Sequence, residues 1–540
     1  MSIFDALYDH DSTIRTLLVR DERLAGVMAE SYGRVTGRPA AILAQAAWVV
    51  ANAATGILEA LTGSSPMVIL ADVSDKIPWS HQNPTQSGTG EPGNWDARLS
   101  LRGLTKQVVD VHHPAQAVAQ TQLALKHAVS GTPGPAAVLF YASSLAGTVG
   151  PDTRPSLYQS SAYLHPDERG AAPELAAAAA AALAAAAKPV IVAGNGVRVA
   201  QARHELRMLA EQLGAPVVTT SSGKGVFPEV HSLGAGVVGD YGLAAAMSIL
   251  GDADVVLAVG TRLAPGDTLH QHASMLDGGR QTLIQIDVDP TRVGWAYPVD
   301  VPLVGHARTV LRQLHAALGS VAPRPGAELV QKAFDRFGGF DVAESSADDV
   351  PVLPQRLIKV LNDCLPADAV VTADAGENRI FLVHHLRTSD GDFLQPGSMG
   401  GMGYSIPAAL GAKLADPSRP VVAMVGDGGF AMSINGLMTS LEAALPIVVV
   451  VMNNSMLGWV RHMQGERPIA STLPSYDHAA LARSLGCDGV RVEKPSGLEH
   501  ALRDALRSGR TTVIDVRISA EQSWERVTSP LAQLSRSRER

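Results

Sequence analysis

Along the chain, short unbroken apolar runs alternate with helical stretches. The runs are TLLVR (16–20), MVILAD (67–72), VIVAGNG (190–196), VVLAVGTR (255–262), LIQIDVDP (283–290), VVAMVGDGG (421–429) and IVVVVMNN (447–454). Continuous apolar strands separated by helices predict parallel sheets covered on both faces, an α/β protein of doubly wound type. Two polar stretches interrupt the alternation. One is the proline-bearing GTVGPDTRPSLYQSSAYLHPDERG (147–170); the other spans 318–350, where GSVAPRPGAE and DVAESSADDVP flank a short helical pattern. They predict three parallel-sheet domains of ordinary size, 1–150, 170–320 and 350–525. ELAAAAAAALAAAAK (174–188) is built from the best helix former and predicts a helix opening the middle domain.

Composition narrows the class. A chain of 540 residues is too long for one ordinary core, and 46% hydrophobic with 18% charged residues predicts a compact, soluble protein. Net charge is −8 and no basic stripe appears, which argues against nucleic-acid binding. Two cysteines, Cys364 and Cys487, make no disulfide framework and suit a reducing cytoplasm. The opening MSIFDALYDHDST has no apolar segment of a secretory signal, and the longest apolar run, 447–452, is far short of a membrane span. The closing SRSRER predicts a frayed tail.

The chemistry concentrates in GDGG (426–429) and Asn453-Asn454. The pattern predicts a strand over 421–425, a glycine turn at 426–429, a helix over 431–444, and a second strand ending in the asparagines. Small residues at a helix N-terminus expose backbone N–H groups, an anion site. Asp427 adds a hard oxygen of the kind Mg²⁺ or Ca²⁺ prefers. A right-handed crossover sets the two strand ends side by side, so Asp427 and an asparagine carbonyl can grip one cation while glycine amides hold a diphosphate. Alone, GDGG is more often a plain strand-to-helix turn. With 24 residues (429–452) between GDG and NN, it resembles the diphosphate-binding motif of thiamine diphosphate (ThDP) enzymes. That resemblance implies Mg²⁺ ligation by Asp427, the Asn454 side chain and the Met456 backbone carbonyl, with Gly426, Gly428 and Gly429 against the diphosphate.

Three further stretches carry the resemblance. LLVRDERLAGVMAESYGRVTGRPA (17–40) matches a strand-end carboxylate followed by a helix, and implies that Glu22 is the catalytic group on the cofactor's pyrimidine ring. Without that match, Glu22 reads as an ordinary helix-start glutamate favoured by the helix dipole. GSMGGMGYSIPAALGAKLADP (397–417) places Met402 where the apolar wedge that bends the cofactor belongs, 25 residues before Asp427, and the Gly400 carbonyl where the 4′-amino group is held. TADAGENRIF (372–381) resembles the second diphosphate loop, with Gly376, Glu377 and Asn378 as contacts. Together these make the chain similar, over nearly its whole length, to acetolactate synthase-like enzymes, the acetohydroxyacid synthase large-subunit family. The resemblance implies a pyrimidine-binding domain, a Rossmann-like middle domain and a diphosphate-binding domain. It further implies active sites shared between subunits, hence a homodimer or homotetramer. The implied activity is decarboxylation of a pyruvate-like 2-oxo acid with C–C bond formation to an acceptor carbonyl.

Several positions depart from the family. The chain begins late, without the family's first strand and glycine turn, which predicts a truncated start or a lost strand. AQAAWVVAN (44–52) puts Gln45 and Trp48 where a glycine turn faces substrate, and Met463 stands where acetohydroxyacid synthases carry the acceptor-selecting tryptophan. The long stretch DKIPWSHQNPTQSGTGEPGNWDARLS (75–100) offers His81, Gln82 or Trp95 to the substrate, although each reads more simply as a loop residue. His112-His113 precedes a helical segment and predicts a surface cap. GNG (194–196) and GTR (260–262) end strands as in nucleotide folds, which leaves FAD open in the middle domain. Two alternatives stand beside the synthase: a C–C lyase or decarboxylase of the benzaldehyde lyase or 2-hydroxyacyl-CoA lyase type, and a catalytically silent ThDP-fold protein.

Overall fold

The computed structural model describes residues 2–10, 13–75, 85–150, 153, 159, 161, 164 and 168–526. Its strands form three sheets, every pairing within them parallel. The first has four strands in the order Ala40–Gln45, Met67–Val73, Pro135–Tyr141, Gln107–Val111. The second runs Val301–Val304, Thr282–Asp287, Val255–Val259, Pro189–Ala193, Val217–Thr219, Gly234–Val237. The third runs Asp392–Leu394, Val370–Ala373, Val421–Gly426, Val448–Asn453, Thr512–Arg517, Asp488–Val492. Most of these strands are buried along nearly their full length, as the unbroken apolar runs require. The sheets belong to two compact units: residues 1–167 with 410–415 and 435–445, and the remainder.

In the first unit, helix Glu22–Thr36 lies unusually close to helix Ala54–Gly63. A Cβ on Gly56 would come within 2.2 Å of the Gly26 carbonyl carbon, so only glycine permits the approach. Farther along, Arg34 is buried between Glu30 and Glu59, bonding Glu30 at 2.6–2.7 Å and Glu59 at 3.0 Å. TLLVR, expected as a strand, is irregular, and Leu18 is 72% exposed. Arginine side chains tether the segment instead of ladder hydrogen bonds: Arg15 donates to the Ala443 carbonyl at 2.9 Å and Arg20 pairs with Glu442. Residues 2–9 form a helix.

In the second unit the alanine-rich segment is helical over Pro173–Ala185, opening the middle sheet. The middle and third sheets are joined by a buried charge cluster in which Asp392 meets Arg198 at 3.1 Å, Arg419 at 2.9 Å, and Arg203. The glycines of GNG and GTR press on each other: a Cβ on Gly196 would sit 2.6 Å from Gly260 Cα, and the Gly196 amide donates to the Gly260 carbonyl at 2.9 Å. Their small size serves this loop-to-loop packing, and the FAD expectation gains no support from it.

Candidate active site

The third sheet reverses its winding between two neighbouring strands. After Val370–Ala373 the chain moves outward to Asp392–Leu394; after Val421–Gly426 it moves the other way to Val448–Asn453. Segments leaving the carboxyl ends of those two strands border one crevice, the usual ligand position in an open parallel sheet. The crevice encloses about 610 Å³, part of it open to solvent, and its lining includes Gly376, Glu377, Asn378, Met402, residues 426–429, Asn454 and Met456.

Gly426 is extended and caps helix Asp427–Ser433, so Asp427, Gly428 and Gly429 are its first three residues and not a turn. The helix expected over 431–444 is two, Asp427–Ser433 and Gly436–Glu442. Ser433 turns its hydroxyl back onto the Gly429 carbonyl at 3.0 Å and Gly436 follows, a combination that breaks helices. Burial pushes the Asp427 carboxyl up, opposed by the amides of Gly428, Ser455 and Met456. Its Oδ1 accepts from the Gly428 amide at 2.8 Å, whereas buried Oδ2 has no hydrogen-bond partner. A divalent cation at Oδ2 would satisfy that oxygen and stabilise the ionised form, so the residues fit a hard metal ion.

The two asparagines divide their roles. Asn453 donates to Asp515 at 2.8 Å and accepts from Arg517 at 2.7 Å, which commits it to the sheet. Asn454 follows it into the lining of the crevice that Asp427 also lines. Across the crevice, Gly376 adopts φ 109°, a conformation that favours glycine, and starts helix Glu377–His385. Asn378 donates from Nδ2 to the Ala375 carbonyl at 3.3 Å, while its buried Oδ1 is unpaired. The Glu377 carboxylate turns away from an anion's place: Oε1 meets His462 Nδ1 at 2.6 Å and accepts the Trp524 amide at 2.9 Å. Burial raises its pKa, and the His462 bond opposes the shift. Only its amide, in the helix's first turn, suits a diphosphate.

Met402 lies over the start of the Asp427 helix. A Cβ on Gly428 would meet Met402 Cε at 3.1 Å and Leu457 Cδ2 at 2.7 Å. Gly400, at φ 62°, has open space where a Cβ would stand. Beneath this loop is Asp374, fully buried, which sequence reasoning passed over although it lies in TADAGENRIF. Its carboxylate accepts from the amides of Gly403 at 3.0 Å, Tyr404 at 2.9 Å and Ala375 at 3.1 Å. Burial pushes its pKa up to about 6 against those bonds. The available signal was a carboxylate directly after a short, mostly apolar strand.

The first unit positions Glu22 separately. Asp21 caps helix Glu22–Thr36 by accepting from the Arg23 amide at 2.7 Å, and Glu22 is the first helical residue. Glu22 Oε2 accepts from Asn52 Nδ2 at 2.9 Å, a partner the sequence did not single out. Gln45 ends its strand opposite Asp72, and Trp48 in the following helix is 46% exposed. Met463, 64% exposed, ends helix Gly458–Met463 in the other unit. His81 and Gln82 lie outside the described residues. Trp95 packs into the first unit's core. His113 accepts from the Ala115 amide at 3.2 Å and caps a short 3₁₀ turn, the surface cap expected of the pair.

A switch-point crevice with a metal-suited carboxylate, at the carboxyl edge of one parallel sheet, is the kind of site in which α/β proteins hold a phosphorylated cofactor. Three family models of thiamine pyrophosphate enzymes match the chain: the N-terminal TPP binding domain at residues 1–89, the central domain at 176–314 and the C-terminal TPP binding domain at 374–516. It is 30% identical to a probable acetolactate synthase large subunit of Methanocaldococcus jannaschii, over 97% of this chain and 88% of that protein. It is likewise 30% identical to the acetolactate synthase isozyme 3 large subunit of Escherichia coli, over 97% and 91%. Sulfoacetaldehyde acetyltransferase of Alcaligenes xylosoxydans is 29% identical over 94% and 87%. The chain belongs to the acetolactate synthase-like family of ThDP-dependent enzymes.

Proposed function

We propose that this protein is a ThDP- and Mg²⁺-dependent carboligase that decarboxylates a pyruvate-like 2-oxo acid and joins the remaining fragment to an acceptor carbonyl. The observation that carries the reading is the unpaired, buried Asp427 Oδ2 in the same crevice as Asn454 and the glycine-opened helix starts. Asp427, the Asn454 side-chain oxygen and the Met456 carbonyl would hold the cation. The amides of Gly428 and Gly429, with those of Gly376, Glu377 and Asn378, would hold the diphosphate, and Gly426 leaves room beside it. Met402 would be the apolar wedge against the cofactor, and the Gly400 carbonyl would accept from its amino group. When bound, ThDP supplies the electron sink that decarboxylation requires.

Glu22 would hold a proton against the pyrimidine ring, its carboxylate oriented by the bond from Asn52. Gln45, Trp48 and Met463, with His81, are the positions we assign to substrate. In the family arrangement Glu22 and the crevice of one active site come from different chains, so a homodimer is the smallest working assembly. Two free, buried cysteines suit a cytoplasmic location. The test is product analysis with ThDP, Mg²⁺ and pyruvate, beside the Glu22→Gln variant. Acetolactate from the parent alone supports the reading. Acetaldehyde alone favours the decarboxylase alternative, and tight ThDP binding with no turnover of any 2-oxo acid favours the silent one.

A further inference from the structure

Three segments meet at one buried side chain. Asp374 leaves the strand Val370–Ala373 two residues before Gly376, so it is covalently part of the second diphosphate loop. Its Oδ2 receives the Gly403 amide and its Oδ1 the Tyr404 amide, the two residues that follow Met402. From a third side comes Gly429, where a Cβ would stand 1.9 Å from Asp374 Oδ2. Helix Asp427–Ser433 can therefore reach this carboxylate only because that position is glycine. An aspartate is otherwise an expensive core residue: fully enclosed, it must stay ionised or carry a proton with fewer acceptors for the amides around it. Nothing in the sheet needs a carboxylate there, whereas the loop bearing Gly400 and Met402 needs acceptors for its amides.

We infer that Asp374 is a positioning residue for the cofactor-bending loop: its carboxylate fixes the Gly400–Met402 segment at a set height over the Asp427 helix. The inference rests on the ThDP reading above. Asp374 touches neither the cofactor nor the substrate; it acts through the Gly403 and Tyr404 amides on the residues that do. Replacement by asparagine keeps the shape but points an NH₂ at a backbone N–H, on whichever side the amide flips. Alanine at 429 pushes on the same carboxylate from the opposite direction.

The experiment compares the parent, Asp374→Asn and Gly429→Ala, with Asp374→Ser as the background for a double variant, by the thermal midpoint and by two readouts that need no substrate. The latter are ThDP affinity in the presence of Mg²⁺, and the exchange rate of the ThDP C2 proton with deuterium in the bound state, followed by NMR. In both variants we expect exchange per bound cofactor to slow about tenfold or more, the loss of one charge-assisted hydrogen bond in the pocket. Affinity changes by less than about threefold in Asp374→Asn, because the diphosphate contacts remain. In the Asp374→Ser background Gly429→Ala should add little further slowing, since the opposing carboxylate is gone. Unaltered exchange in both single variants overturns the inference, as does a purely structural pattern of lowered thermal midpoint with normal exchange per bound cofactor. A parent that binds no ThDP overturns the functional reading and the inference with it. Normal binding and exchange in the parent, with both variants matching it, overturns the inference alone.

Discussion

Asn453 and Asn454 are adjacent and chemically identical, yet the fold gives them different work. Asn453 is saturated by Asp515 and Arg517, and Asn454 is turned into the crevice with Asp427. The dipeptide and its spacing were legible in the sequence; the division between the two residues was not, because the partners of Asn453 arrive on a strand more than sixty positions later. Asp427→Ala should abolish Mg²⁺-dependent ThDP retention in equilibrium dialysis. It should cost the cofactor-free protein little stability, because it removes a carboxyl that burial already disfavours. Retention equal to the parent's would end the metal assignment. Glu22→Gln should lower turnover about a hundredfold or more while ThDP affinity stays within a few-fold, as for loss of a proton-handling group. Turnover near the parent's would remove Glu22 from the chemistry.

At the scale of elements, the helices that matter are placed by glycines. Gly26 and Gly56 bring helix Glu22–Thr36 onto its neighbour, which sets the height of Glu22 and the reach of Asn52. Gly56→Ala should separate the two helices at a cost of about 1–3 kcal/mol, read as a lower midpoint in urea with an unchanged slope. It should also slow turnover more than it weakens ThDP binding; an unaltered midpoint would show that the contact is loose. Periodicity predicted the elements but not their interruptions. The pattern predicts a glycine turn at 426–429 and one helix over 431–444; the two helices actually formed are separated through a Ser433 back-bond and Gly436. TLLVR has strand composition, but the described residues offer it no strand partner, and Arg15 and Arg20 secure it instead.

For the whole molecule, the Asp392 cluster ties the middle sheet to the third. Burial alone would raise the Asp392 carboxyl, but Arg203, Arg198 and Arg419 outweigh it and hold the group well below the usual carboxylate range. A depressed folded-state pKa means that the stabilisation is fully present above the unfolded aspartate value, about 4, and is lost as pH falls toward the folded value. Asp392→Asn removes the carboxylate that Arg198, Arg203 and Arg419 share and should cost about 3–5 kcal/mol near neutrality. The deficit relative to the parent should shrink in acid unfolding between about pH 4 and 2. A deficit independent of pH would show that Asp392 contributes shape and not charge.

By itself the sequence determined the class of sheet, the alternation of strand and helix, and the strand–helix–strand unit that carries Asp427 and Asn454. Those features depend on local periodicity and on residue types within a few turns of one another. Only the tertiary structure decided that the third sheet reverses its winding beside Asp427, and that Glu377 bonds His462 and the Trp524 amide. It alone placed Asp374 beneath the Met402 loop against Gly429. Each of these is a contact between segments far apart in the chain. Their identities are written in the sequence, but their adjacency exists only once the strand order is set and the buried polar atoms have found partners.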